Sequence, residues 1–167
     1  MSGYKVRPMS EKDIESIIAI DARLTGERGP DRAGFWRGLL SIQVPAAAEG
    51  EPPPAAVPHH LCQVAETDGH VAGFIIGDVQ SWQFGLPRHG RIVAIGVDPD
   101  HARNGVATLL AEALIGVLRK MGLPFVQCLV RPGDSLEGFF TSLGFEQPGF
   151  RILEKTLAGK PKRSGAS

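Results

Sequence analysis

Ile92-Val93-Ala94-Ile95-Gly96-Val97-Asp98-Pro99-Asp100-His101-Ala102-Arg103-Asn104-Gly105-Val106-Ala107-Thr108-Leu109-Leu110 reads as a buried strand, a polar turn around Gly105, and the opening of a helix. From Val106 onward apolar residues recur at Leu109, Leu110, Ala113, Leu114, Val117, Leu118 and Met121, the i, i+3, i+4, i+7 spacing of a helix with one face on a core. Gly122 supplies the stop, with Pro124 beyond it. A strand that turns sharply into a helix leaves the first helical N–H groups without partners and aimed one way. The helix dipole adds roughly half a positive charge at that point. Such a turn holds a phosphate without needing a lysine. The plainer alternative is an ordinary strand-to-helix connection with a capping glycine. Spelling excludes two common phosphate loops, since neither G-x-x-x-x-G-K-[ST] nor G-x-G-x-x-G occurs.

Upstream, Lys5 to Met9 reads as a short strand, and Ser10 with Asp13 three residues on is a helix start. Ile14, Ile17, Ile18 and Leu24 form the inner stripe of that helix, and a second helix covers Arg32 to Leu40. The stretch Val44 to Pro58, rich in Pro, Ala and Gly, is a surface loop rather than a linker, because too little chain precedes it to form its own core. Strands follow at Leu61 to Thr67 and Val71 to Trp82, joined by the hairpin signal Asp68-Gly69. Further strands are expected at Arg91 to Val97, Phe125 to Arg131 and Phe150 to Leu157, with a short helix over Ser135 to Leu143. Continuous apolar strands beside helices imply a mixed α/β sheet covered on both faces. One domain over residues 1–157 and a flexible tail over 158–167 complete the expected organisation.

Two blocks in this order carry a resemblance. Val97-Asp98-Pro99 followed by His101-Ala102-Arg103-Asn104-Gly105-Val106-Ala107 resembles the pyrophosphate pattern [QR]-x-x-G-x-[GA], and Phe139-Phe140-Thr141-Ser142-Leu143-Gly144-Phe145 resembles a late helix ending in x-x-x-G-F. The chain from Val71 to Phe145 thus resembles the GNAT superfamily of acyl-CoA-dependent N-acetyltransferases. The resemblance implies an α/β (α+β) fold with a mixed, mostly antiparallel central sheet and helices on both faces. It implies acetyl-CoA as co-substrate and an amine acceptor, either a protein N-terminus, a lysine or a small primary amine. The amides of Arg103, Asn104, Gly105, Val106, Ala107 and Thr108 would hold the pyrophosphate, the strand Ile95-Gly96-Val97 would flank the pantetheine arm, and Phe140 would lie at the coenzyme. The Val97-Asp98-Pro99 block is slightly closer to the ribosomal-protein-type N-terminal acetyltransferases. A homodimer is implied by the family alone.

Two positions depart from the family pattern. Ala102 stands where Gln or Arg is usual, with Arg103 next to it as a substitute charge, and Phe140 stands where many members carry a proton-donating tyrosine. A thiolate of pKa about 8 to 9 leaves well enough for water to reprotonate it, so activity does not require that tyrosine. An expected backbone reason for Gly105 is close approach to a phosphate, which leaves no room for a Cβ.

Transfer to an amine requires a base or a held water near the thioester carbonyl. The strand 91–97 and the strand after it carry no carboxylate, so the base comes from elsewhere. Asp21, on the apolar stripe near a helix C-terminus, and Glu27, in the glycine-bounded loop beyond, are the candidates; the competing reading of Asp21 is a frayed end in solvent. Asp78, Trp82 and Phe84 are candidate acceptor contacts. Alternation leaves the face of Asp78 open, and the aromatic pair serves equally as a hydrophobic plug. No metal site is expected, because His59-His60 has no third ligand at a recognisable spacing. His89 and His101 flank the coenzyme strand as exposed residues. Loss of all catalysis with the phosphate cradle kept, giving a coenzyme-binding sensor or subunit, is the alternative function.

Composition sets the remaining bounds. Lys plus Arg and Asp plus Glu are both 18, so the neutral balance gives no reason to expect nucleic acid or an anionic membrane as partner. No apolar run approaches the length of about 18 residues that spans a bilayer, and the start Met1-Ser2-Gly3-Tyr4-Lys5 does not read as a signal peptide. Cys62 and Cys128, flanked by strand residues, are expected as buried reduced thiols, which with the rest predicts a cytoplasmic protein.

Overall fold

The computed structural model describes residues 3–26, 30–41, 61–81, 85–149, 151–155 and 157. The loop expected over 44–58 and the tail expected over 158–167 lie outside them, as do Glu27, Trp82 and Phe84. The chain forms two compact units, residues 1–130 and 131–167.

The first unit is built on one sheet in the order β1-β2-β3-β4-β5, with β1 at Lys5–Pro8, β2 at Leu61–Thr67, β3 at His70–Gln80, β4 at His89–Val97 and β5 at Val126–Cys128. The first three pairings are antiparallel and β4 with β5 is parallel, so the sheet is mixed and mostly antiparallel. Asp68 (φ 50°) and Gly69 (φ 77°) are both left-handed, the requirement of the two-residue turn that joins β2 to β3. Helices α1 (Ile14–Thr25) and α2 (Pro30–Ser41) lie on one face. There Ile14, Ile17, Ile20, Trp36 and Leu39 pack with Phe74 and Ile76 of β3. Ile20 takes the inner place expected of Leu24, which is half exposed, because the helix continues with regular 3.6-residue spacing to Gly26 (φ 68°). At its start the Ser10 N–H and hydroxyl both donate to Asp13 Oδ2, at 2.8 and 2.9 Å. Arg7 of β1 grips the same carboxylate and holds it down to about 2.

Helix α3 (Val106–Lys120) covers the other face, and glycine decides how closely. A Cβ at Gly73 would meet the Gly96 carbonyl oxygen at 2.8 Å and Val106 and Leu110 at 3.2 and 3.3 Å; at Gly77 it would meet Leu114 at 2.9 Å, and at Gly90 Leu118 at 2.7 Å. Val106, Leu110, Leu114 and Leu118 are one i, i+4 row, all buried, and this row rests on a floor without side chains. The helix ends where the sequence indicates, with Gly122 at φ 73°.

In the second unit α4 (Ser135–Ser142) is capped by Asp134, whose side chain accepts from the Leu136 N–H, and it closes through Gly144 (φ 86°) with Phe145 N–H donating to the Phe140 carbonyl. Two expectations need correction. The strand expected at Phe125 to Arg131 is only Val126–Cys128, since Arg131 already begins a turn whose carbonyl accepts from Asp134 N–H. No strand forms over the described residues 151–155, where Ile152 and Leu153 are largely exposed instead of laddered.

Candidate active site

The amides of Arg103, Asn104, Gly105, Val106, Ala107 and Thr108 have no acceptor among the described residues, and the first paired amide of the helix is Leu109, which donates to the Gly105 carbonyl. Two left-handed residues shape this run, Arg103 at φ 63° and Gly105 at φ 77°. Alternating backbone handedness turns consecutive N–H groups toward one concavity, a geometry suited to an anion. Arg103, Asn104 and Gly105 are exposed. A Cβ on Gly105 would meet no protein atom within 4 Å. The glycine is therefore required by its φ, not by crowding within the protein, and the space in front of it is open for a ligand.

The entry to this turn is clamped by side chains from distant parts of the chain. Asp98 N–H donates to the Ala72 carbonyl at 2.9 Å, and Asp98 Oδ1 accepts from Asp100 N–H at 2.9 Å. Arg23 of α1 donates to Asp98 at 2.6 Å and to both oxygens of Asp100 at 3.0 Å, holding the Asp100 carboxyl below its usual range. Tyr4 and His101 are joined from the phenol oxygen to Nδ1 at 3.0 Å. Only the separation in sequence, 75 to 97 residues, kept these contacts from view.

Along β4 a second feature appears. Between Ile76↔Ala94 and Gly77↔Ile92 the ladder with β3 skips Val93, an extra residue on β4 that leaves it 43% exposed. On the other side, the parallel ladder with β5 runs only through Gly90↔Val126, Arg91↔Gln127 and Ile92↔Cys128. From Val93 to Val97, including Ile95 and Gly96, β4 is therefore bordered by β3 alone among the described residues. Strand polar groups alternate between the two sides, so half of them in this stretch face an open edge that suits an amide-bearing chain. Cys128, at the last rung, has its thiol pushed up by burial, which makes it a poor nucleophile.

The carboxylates are differently placed from expectation. Asp21 is buried in α1 and gripped through both oxygens by Arg32 of α2, with Trp36 Nε1 donating at 3.4 Å. Arg32 holds it below the usual carboxylate range, so it is a fixed anion linking two helices, neither a frayed end in solvent nor a carboxylate poised to take a proton at neutral pH. Asp78 is buried on the α1–α2 face of β3 and is bonded by Arg91 of β4, its register partner. His89, expected at the surface, is fully buried: its ring stacks on Phe125 at 4.8 Å, and Nδ1 donates to the Pro87 carbonyl at 2.8 Å. Phe140 lies in the second unit between Phe139 and Phe145, ring centroids 5.0 and 5.1 Å away, with no group able to give a proton. No cluster of three metal-binding side chains occurs among the described residues, and no described helix is long and apolar enough to cross a membrane.

With this geometry established, comparison adds the relatives. The model of the Acetyltransferase (GNAT) family matches residues 35–145. Among solved structures, AAC(6')-Iy in complex with the bisubstrate analogue CoA-S-monomethyl-acetylneamine superposes with a TM-score of 0.71 at 18% identity, covering 94% of this chain and 100% of the other. Aminoglycoside 6'-N-acetyltransferase AAC(6')-Ih from Acinetobacter baumannii gives 0.70 at 17%, covering 94% and 100%. Ribosomal-protein-alanine N-acetyltransferase from Brucella melitensis biovar Abortus 2308 gives 0.69 at 13%, covering 93% and 100%. At these identities the likeness is one of fold.

Proposed function

Because the chain belongs to the Acetyltransferase (GNAT) family, we propose that it moves an acetyl group from acetyl-CoA directly to a primary amine, with the pyrophosphate held by the amides of residues 103 to 108. The observation that carries this reading is the run of amides from Arg103 to Thr108, at the head of α3, that have no acceptor among the described residues. The open edge of β4 from Val93 to Val97 suits the pantetheine arm, including its contacts at Ile95 and Gly96, and brings the thioester toward the point where β4 and β5 cease to pair.

The amine nitrogen attacks the thioester carbonyl carbon, the C–S bond breaks, and coenzyme A leaves as its thiolate. The proton shed by nitrogen passes to water, and solvent reprotonates a thiolate whose pKa lies at about 8 to 9. This route needs neither a tyrosine at position 140 nor a free Asp21. Glu27 is retained as the side-chain base within this reading, beside a held water. A metal-free mechanism in the cytoplasm, with no nucleic acid partner and with either a monomer or a homodimer, is consistent with it. The acceptor is a protein amine or a small primary amine. A coenzyme-binding sensor without turnover is the second reading, favoured by Phe140 and by the absence of a carboxylate on β4 and β5.

Calorimetric titration with acetyl-CoA, beside desulfo-CoA and ATP, followed by turnover on a panel of peptides and small amines, tests both. Micromolar binding with preference over ATP and acetylated product supports the enzyme. Binding without product on any acceptor supports the sensor, and no binding to folded protein removes both readings.

A further inference from the structure

Resting on the acetyltransferase reading, we propose that Arg91 is a docking point for a carboxylate on the acceptor, so that the preferred acceptor is an amine that also bears an acid group. Arg91 occupies the rung Arg91↔Gln127, one residue before Ile92↔Cys128, where pairing of β4 with β5 ends. It lies on the face away from α3, since Gly90 beside it faces Leu118 and Arg91 shares its face with Asp78. Helix α3 covers the opposite face, and on its own face the Arg91 side chain is 43% exposed, so a molecule that reaches the parting of the strands on this side meets the guanidinium.

The state of the guanidinium identifies what it receives. Asp78, with a side chain only 3% exposed, takes the Nε and Nη2 N–H groups and fixes the plane of the fork. Nη1 has no acceptor among the described residues, and the Arg91 side chain is 43% exposed. One edge of the fork is therefore braced and the other is presented to solvent. A braced guanidinium with a free edge matches a planar carboxylate in two parallel hydrogen bonds, a match that a lysine cannot make. The buried anion alongside also explains why this cation is held in place when no ligand is bound.

The neighbouring charges agree with this choice. Strands β4 and β5 carry no carboxylate, and the two buried acids on the α1–α2 face, Asp21 and Asp78, are each taken up by an arginine.

The test compares phenylalanine, 4-aminobutyrate and lysine, each as free acid and as carboxamide, by kcat/KM. The parent is expected to favour free acids by about ten-fold or more, mainly through KM. Asp78→Asn/Arg91→Gln removes both charges together, so neither is left buried alone, and should bring that ratio close to one; Arg91→Lys should leave it between the two. Acetyl-CoA affinity, measured on each variant by calorimetry, reports the fold and the acetyltransferase reading separately. If no acceptor is turned over, titration of parent and double variant with the N-acetylated acids and carboxamides reads the same preference as a ratio of dissociation constants. A parent without preference for the acid, or a preference that survives in the double variant, overturns the proposal.

Discussion

At its C-terminal end β4 feeds a run of main-chain amides, Arg103 to Thr108, shaped by two left-handed residues, whereas nearer its N-terminal end the chemistry is in side chains, Arg91 and Asp78 on one pair of strands, as it is for Asp21 and Arg32 between two helices. Main-chain donors are supplied by every residue except proline, so what matters at the first site is conformation and the absence of bulk. At the second, what matters is which ionised partner stands opposite. The first arrangement fixes a ligand common to many proteins; the second is open to change by exchanging pairs of residues.

The largest effect tests the main-chain end. Gly105→Glu places an anion and a side chain in the open space before the amides and strains a backbone at φ 77°; acetyl-CoA affinity in calorimetry should fall by about a hundred-fold or more. Next, Gly73→Ala sets a Cβ 2.8 Å from the Gly96 carbonyl, where a strand rather than a flexible side chain must move, and chemical denaturation should show a loss of about 3 kcal/mol. Among the side-chain pairs, Asp21→Ala leaves Trp36 Nε1 and the Arg32 guanidinium without their shared acceptor; about 2 kcal/mol of stability should be lost, less in the neutral pair Asp21→Asn/Arg32→Gln. If the pair variant is as damaged as the single one, the contrast between the two ends is wrong.

Arg23→Gln joins the two regions, since α1 then releases Asp98 and Asp100 beside the anion site. A few-fold rise in KM for acetyl-CoA with kcat nearly unchanged is expected, with partial rescue by Arg23→Lys. The smallest effect is acid sensitivity at Asp13. Its folded value near 2 lies below the ordinary 3.8, so its contribution is complete above about pH 4 and disappears as pH falls through 2. Denaturation midpoints should show a loss of about 1 kcal/mol by pH 3 that Asp13→Asn does not show.

What the sequence disclosed follows the same division. The turn at Gly105, α3 and the β2–β3 turn depend on short-range rules, so Gly105, the apolar stripe from Val106 and Asp68-Gly69 are enough to place them. Asp21 could be assigned a helix face but not a partner, because Arg32 belongs to the next helix. His89 reads as polar in sequence and is buried because Phe125, 36 residues on, stacks on it. Arg23, Tyr4 and Arg91 had no local signature at all. The described residues 151–155 are the converse case: alternation permits a strand, but only a neighbouring edge makes one.

The glycine floor beneath α3 also sets a clock. Leu110, Leu114 and Leu118 press on backbone with no side chain between, so the amides they carry are expected to exchange with solvent deuterium only when the whole unit opens. The amides just before them, from Arg103 to Thr108, have no acceptor among the described residues and are expected to exchange at the rate of an open loop. Two neighbouring stretches of one chain thus differ by orders of magnitude in the time they hold a hydrogen, and the boundary at Leu109 gives a built-in reference against which slowing of the six free amides counts occupancy by a ligand.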